Sequence, residues 1–271
     1  MSAVDRKITT EALRQMKQAG QRIVALTAYD WTLARLLDEA GVDVLLVGDS
    51  VATVVQGEDT TIPVTLDEMV YHARLVARAA RRAFVVGDLP FLSYQISAED
   101  ALRSAGRLMK EARVEAVKLE GGRAVVEAVA RLVTAGIPVM GHLGLTPQSI
   151  HAFGTYRVRA TGADDAAQLL ADAEALADAG AFAIVLEKVP ATLAAEVTRR
   201  VPIPTIGIGA GRHCDGQILV THDMLGLFER FKPRFARRYR ELAKEIRDAA
   251  AEYGLDVRGG QFPSADESYG P

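Results

Sequence analysis

One junction recurs along the chain and restricts its fold more than any other feature. A helical stretch closes on or near a glycine, and a short β-branched run follows at once. It stands as LLDEAGVDVLLVG over 36–48, LVTAGIPVMGH over 132–142 and ALADAGAFAIVLE over 175–187, and in looser form as MKEARVEAVKLE and TRRVPIPTIGIG. A glycine just past a helix accepts the left-handed backbone that turns the chain into a strand. The runs that follow are almost continuously apolar, as strands of a parallel sheet buried on both faces must be. Counting them gives eight strands, at 23–28, 43–48, 83–88, 114–120, 137–142, 182–187, 203–208 and 217–221. Helices fill most of the gaps: one at about 8–19, one opened by a Thr65/Glu68 capping box and running to about Arg81, one capped by Ser97, and others over 124–134, 164–179 and 191–199. Eight strands alternating with helices and no low-complexity break predict a single α/β domain over 1–271, a (β/α)8 TIM barrel with a C-terminal helical extension over about 229–271. A doubly wound open sheet is the alternative.

Composition enters by what it excludes. A net charge of -3 gives no electrostatic footprint for nucleic acid or an anionic membrane. No apolar run reaches the ~20 residues of a membrane span, and the N-terminal stretch MSAVDRKITTEALRQMKQ has no apolar leader core. The single cysteine, Cys214, excludes an internal disulfide and a thiolate metal site. A cytoplasmic protein with no nucleic-acid or membrane partner is expected. The basic run at 232–240, entering a terminal helix, reads as a solvated face, with a subunit contact as the other reading.

Three long segments, 50–64, 89–96 and 143–163, follow strands two, three and five, on the side where barrel enzymes carry their active sites. At those strand ends stand Asp49 of VGDS, Asp88 of VVGDLP, Lys118 and Glu120 of VKLEGG, His142 of MGHLG and Glu187 of VLEKVP. An aspartate after a strand often caps the next helix, but no helix start follows Asp49 or Asp88 promptly. Four carboxylates facing one mouth would repel and raise one another's pKa unless something positive sits among them. Lys118 is one candidate and a divalent metal the other; a structural salt-bridge cluster is the third reading. With no Cys or His cluster, an oxygen-seeking metal fits, Mg²⁺ first and Mn²⁺ next. Such a metal can chelate a 2-oxo acid while a carboxylate or histidine removes a neighbouring proton. His72, His151, His213 and His222 read as structural or surface residues, and the Gly207–Gly209–Gly211 series reads as a close-packed turn at least as readily as a phosphate loop.

Taken in order, VGDSVATVVQG, GDLPF, VKLEGG, GHLGLTPQS, VLEKVP and IGIGAGRHCDGQILV resemble the ketopantoate hydroxymethyltransferase family, within the phosphoenolpyruvate mutase/isocitrate lyase-like superfamily of barrels. The resemblance implies transfer of a hydroxymethyl group from 5,10-methylenetetrahydrofolate to 3-methyl-2-oxobutanoate via a Mg-bound enolate, giving 2-dehydropantoate for pantothenate and coenzyme A synthesis. It maps the Mg²⁺ site onto Asp49, Asp88 and Glu120, and substrate contacts onto Asp49, Ser50, Asp88 and Lys118. It makes Glu187 the proton acceptor and His142 an active-site histidine. A cytoplasmic homo-oligomer, commonly a decamer in the family, is implied as well. Two departures stand out: Val51-Ala52-Thr53 where many members read Leu-Gly-Met, and a C-terminal Phe262-Pro263 with Glu267 and Ser268 but no following histidine. A lyase or mutase of the same superfamily is the second hypothesis, disfavoured because 120–142 contains no cysteine. A catalytically inert scaffold barrel is the third.

Overall fold

In the computed structural model, which describes residues 6–270, eight parallel strands close into one barrel in sequence order, β8 pairing back onto β1. Residues 1–5 of the polar N-terminal stretch, and residue 271, lie outside the described residues. The strands are β1 (Ile23–Thr27), β2 (Val44–Val47), β3 (Phe84–Asp88), β4 (Ala116–Glu120), β5 (Val139–Gly144), β6 (Ala183–Glu187), β7 (Thr205–Ile208) and β8 (Gly216–Leu219). The helices are α1 (Thr10–Gln18), α2 (Trp31–Glu39), α3 (Leu66–Ala79), α4 (Ala98–Arg107), α5 (Val126–Thr134), α6 (Ile150–Phe153), α7 (Ala163–Asp178), α8 (Ala191–Arg200), α9 (Thr221–Met224) and α10 (Leu242–Gly259). Closure rejects the open-sheet alternative. The chain forms two compact units, one ending at Val220 that holds the whole barrel, the other beginning at Thr221. Among the described residues no helix is long and apolar enough to cross a membrane.

The recurring junction has one geometry. After α2, α5 and α7, Gly41, Gly136 and Gly180 take φ of 85°, 85° and 95°. In each, the next residue's N–H reaches back to a carbonyl in the last helical turn: Val42 to Leu37, Ile137 to Leu132, Ala181 to Leu176. These are Schellman closures, which satisfy carbonyls that a helix end otherwise leaves open. In the looser junctions the solution differs. Arg113 adopts the left-handed conformation without being glycine, while Val201 leaves α8 in extended backbone. At helix starts Thr65 and Glu68 form the expected capping box and Ser97 accepts from the Asp100 N–H.

The sequence reading needs two corrections. Strand five continues to Gly144, so His142 stands inside β5 rather than at its end. The basic run at 232–240 does not enter the last helix, because α10 begins only at Leu242.

The N-terminal rim of the barrel is charged but saturated. The residue before each of β2, β4 and β8 is a carboxylate that accepts a backbone N–H from the preceding strand and faces a cation. Asp43 takes the Val24 N–H at 3.0 Å and Arg82 at 2.7 Å. Glu115 takes the Val85 N–H at 3.0 Å and Lys7 at 2.7 Å. Asp215 takes the Thr205 N–H at 2.9 Å and Lys17 at 2.8 Å. This is the chemistry of a structural salt bridge.

Candidate active site

The opposite rim is built differently. β2 ends at Val47, and Gly48 then lets Asp49 and Ser50 fold in over β3. A Cβ on Gly48 would lie 2.9 Å from the Ser50 hydroxyl and 3.5 Å from Asp88 Oδ2. Asp88 closes β3, Lys118 and Glu120 share the inward face of β4, and Glu187 closes β6. Asp49, Asp88, Lys118, Glu120 and His142 are all buried. Glu187 is the open end, with 15% of its side chain exposed.

Contacts run without a break across five strands. The Asp49 N–H donates to Asp88 Oδ2 at 3.0 Å. Asp88 Oδ1 pairs with Lys118 Nζ at 2.8 Å, and Lys118 Nζ lies 3.4 Å from His142 Nδ1. His142 Nδ1 stands 3.2 Å from Glu120 Oε1, and its Nε2 stands 3.3 Å from Glu187 Oε2. Glu120 Oε1 nevertheless makes no aligned hydrogen bond. Ser50 sits beside this line, its hydroxyl 2.7 Å from the buried Tyr29 phenol. The structure therefore brings together all seven residues singled out in the sequence.

The electrostatics follow from burial. Burial, and then the charges of Asp88 and Glu120, push the Asp49 carboxyl up to about 8 against the opposing pull of Lys118 and Gln148. Burial also raises Asp88, though Lys118 and the Asp49 N–H hold it down in part. For Lys118 burial favours the neutral amine, but Asp88, Glu120 and Asp49 outweigh it and the ammonium is stabilised. Burial and Lys118 likewise oppose a charge on His142, yet Glu120 and Glu187 lift it to about 9. The mouth thus sets two groups with stabilised positive charge, Lys118 and His142, among four carboxylates, of which Asp49 is pushed up to about 8.

Three residues of this site carry no charge and were not singled out from sequence. The buried Tyr94 hydroxyl accepts the Glu120 N–H at 3.1 Å and lies 2.8 Å from Gln148 Oε1. Gln148 donates its backbone N–H to Glu120 Oε2 at 3.0 Å and its side-chain amide to Asp49 Oδ2 at 2.9 Å. Tyr29 supports Ser50 and is itself held by His72, whose Nδ1 meets the Tyr29 carbonyl at 2.7 Å. The only sequence signals for Tyr94 and Gln148 were their positions in the long segments after strands three and five. His72 is structural, as expected, and Gly209 and Gly211 form the tight turn read from sequence, with φ of 64° and 80°.

A closed parallel barrel with buried carboxylates, a lysine and a histidine converging at its C-terminal rim shares its fold with solved barrels of the phosphoenolpyruvate mutase/isocitrate lyase type. Solved structures of that type superpose along nearly the whole chain. A 2,3-dimethylmalate lyase of that superfamily matches with TM-score 0.58 at 18% identity, covering 97% of this chain and 92% of that one. A phosphonopyruvate hydrolase in complex with oxalate and Mg²⁺ matches with TM-score 0.61 at 13% identity, covering 96% and 93%. Sequence relatives are far nearer. The 3-methyl-2-oxobutanoate hydroxymethyltransferase of Salinibacter ruber is 61% identical, over 97% of this chain and 99% of its own length. That of Prosthecochloris aestuarii is 59% identical, over 97% and 96%. The family model for ketopantoate hydroxymethyltransferase matches residues 7–265, and the chain belongs to that family. It is an enzyme that transfers a hydroxymethyl group.

Proposed function

We propose that the chain moves a one-carbon unit from 5,10-methylenetetrahydrofolate to C3 of 3-methyl-2-oxobutanoate through the enolate of that 2-oxo acid. The product is 2-dehydropantoate, on the route to pantothenate and coenzyme A. The observation that carries this reading is the uninterrupted line from Asp49 to Glu187, whose only open carboxylate is at the end opposite the buried ones.

Mg²⁺ fits the buried end, held by Asp49, Asp88 and Glu120. The donors are hard oxygens, Glu120 Oε1 makes no aligned hydrogen bond, and burial with the charges of Asp88 and Glu120 pushes Asp49 up to about 8. Among the described residues no three His, Cys, Asp or Glu side chains form a ready-made cage. A bound Mg²⁺ would draw the rest of its coordination from water and substrate. The neighbouring fold bound to oxalate and Mg²⁺ is a precedent for a dicarbonyl ligand in such a barrel. When bound, Mg²⁺ supplies a Lewis acid for the substrate's keto oxygen.

The protein's own groups do the rest. Glu187 takes the C3 proton, and the His142 imidazole, 3.3 Å from its carboxylate, positions it. The Lys118 ammonium, fixed by Asp88, faces the negative charge that develops on the substrate. Asp49, Ser50, Asp88, Lys118 and His142 line the place where the 2-oxo acid binds. The enolate carbon then attacks the folate-borne carbon, and water completes the hydroxymethyl group as tetrahydrofolate leaves. A cytoplasmic homo-oligomer, decameric as in the family resemblance, completes the proposal. α10, which buries none of its residues, supports an assembly.

The test is folate-free exchange of the C3 proton of 3-methyl-2-oxobutanoate in D₂O, followed by NMR with and without Mg²⁺. Exchange is expected only with metal, and Glu187→Gln should slow it by at least ~100-fold, the usual worth of a positioned general base. Exchange that needs no metal, or a Glu187→Gln enzyme exchanging at the normal rate, would sink the reading.

A further inference from the structure

Gln148, a neutral and buried side chain, is where the segments above β2, β3 and β4 are tied together. We infer that it is a positioning residue that decides which oxygens of Asp49 and Glu120 a divalent cation receives. The inference rests on the metal reading given above.

The argument is one of hydrogen-bond accounting. Gln148 lies in the turn Pro147–Ser149 that follows β5. Its Nε2 donates to Asp49 Oδ2 at 2.9 Å and to the Leu89 carbonyl at 3.0 Å. A carbonyl can only accept, so the group facing Leu89 must be the NH₂ end of the amide, and both its hydrogens are committed. The other end, Oε1, accepts from the Gln95 amide at 3.2 Å and meets the Tyr94 hydroxyl at 2.8 Å. That hydroxyl already accepts the Glu120 N–H, and its proton faces both Gln148 Oε1 at 2.8 Å and the Glu120 carbonyl at 3.2 Å, the shorter contact being to Gln148. Reversing the amide would set its oxygen against the Leu89 carbonyl. The orientation is therefore fixed from both sides.

The consequence falls on the carboxylates. Gln148 occupies Oδ2 of Asp49 through its side chain and Oε2 of Glu120 through its backbone N–H. What remains is Oδ1 of Asp49 and Oε1 of Glu120, the latter facing His142 Nδ1 at 3.2 Å without an aligned hydrogen bond. Asp88 is held independently, by the Asp49 N–H and Lys118. One uncharged residue thus aims two carboxylates that arrive from different strands, and it does so without adding charge to a crowded mouth. Groups that orient metal ligands in this way typically contribute 10–100-fold in affinity.

Mn²⁺ binding to the substrate-free protein, read from the EPR signal of free Mn²⁺, tests this without relying on turnover. Gln148→Ala keeps the backbone N–H to Glu120 and removes the hold on Asp49, together with the side chain's bonds to Leu89, Gln95 and Tyr94; its Mn²⁺ Kd should rise about 10–100-fold. Tyr94→Phe deletes the hydroxyl that orients the amide and should weaken binding in the same direction by a smaller factor. The spectrum of bound Mn²⁺ should change in both variants, which loosening of the fold elsewhere would not produce. If both bind Mn²⁺ within twofold of the unmodified chain with an unchanged bound spectrum, the inference is overturned. Should Gln148→Ala fail to fold, Tyr94→Phe alone decides by the same criterion. An unmodified chain that binds no Mn²⁺ overturns the metal reading itself, a different outcome from a bound metal indifferent to position 148.

Discussion

At the scale of single residues, the site is governed by where protons sit before any ligand arrives. Asp49, lifted to about 8 by burial and by Asp88 and Glu120, is protonated in the metal-free mouth at neutral pH. A cation bound there must displace that proton. Mg²⁺ affinity should therefore climb about tenfold for each pH unit below about 8 and level off above it, with one proton released per ion. Calorimetry in buffers of different ionisation enthalpy reads that proton directly; affinity that stays flat from pH 6 to 8 would refute the assignment. The charged members of this site were legible in the sequence because each stands at or near the end of an apolar strand, where an ionisable group needs a reason. Gln148, Tyr94 and Tyr29 were not. Their importance lies in partners 21 to 99 residues away, and a neutral side chain in a loop leaves no charge anomaly to notice.

At the scale of elements, the helix–glycine–strand junction was the most informative pattern, and it predicts a graded response. At Gly41 and Gly136 a Cβ would meet nothing within 4 Å, so alanine there carries only the left-handed backbone cost, about 1–2 kcal/mol. At Gly180 the added Cβ would lie 2.8 Å from Val133 Cγ1 of α5, adding a clash between two packed segments. Urea unfolding should rank Gly180→Ala as the least stable of the three. Equal losses at all three positions would contradict the packing argument. The boundaries that sequence missed have local physical causes. His142 looked terminal because Gly144 follows so soon, yet that glycine, at φ 95°, packs against the Glu187 carbonyl and lets β5 run on beside β6. The basic run looked helical because its charges suit a helix surface, while the chain there is folded in turns held by bonds such as that from Arg238 to the Phe228 carbonyl.

For the whole molecule, the two rims of the barrel divide stability from chemistry. Asp43, Glu115 and Asp215 are each matched by a strand N–H and a cation, so replacing one by alanine should lower stability and leave Mn²⁺ affinity of the folded protein within about twofold. A large fall in affinity in a fully folded Asp43→Ala protein would show that the rims are coupled. Assembly belongs to this scale too: light scattering at micromolar concentration should return a multiple of the 29.1 kDa chain, and a stable monomer would remove the proposed oligomer.

Because the strands stand around the barrel in the order in which they occur along the chain, the site is also partitioned along the sequence. Asp49, Asp88, Lys118 and Glu120 all come from the first half-barrel; His142 and Glu187 come from the second. Gln148, from the turn after β5, reaches back from the second half to the carboxylates of the first. Changing β5, β6 and the loops they carry would therefore leave the carboxylates of β2 to β4 in the sequence but release the hold that aims two of them.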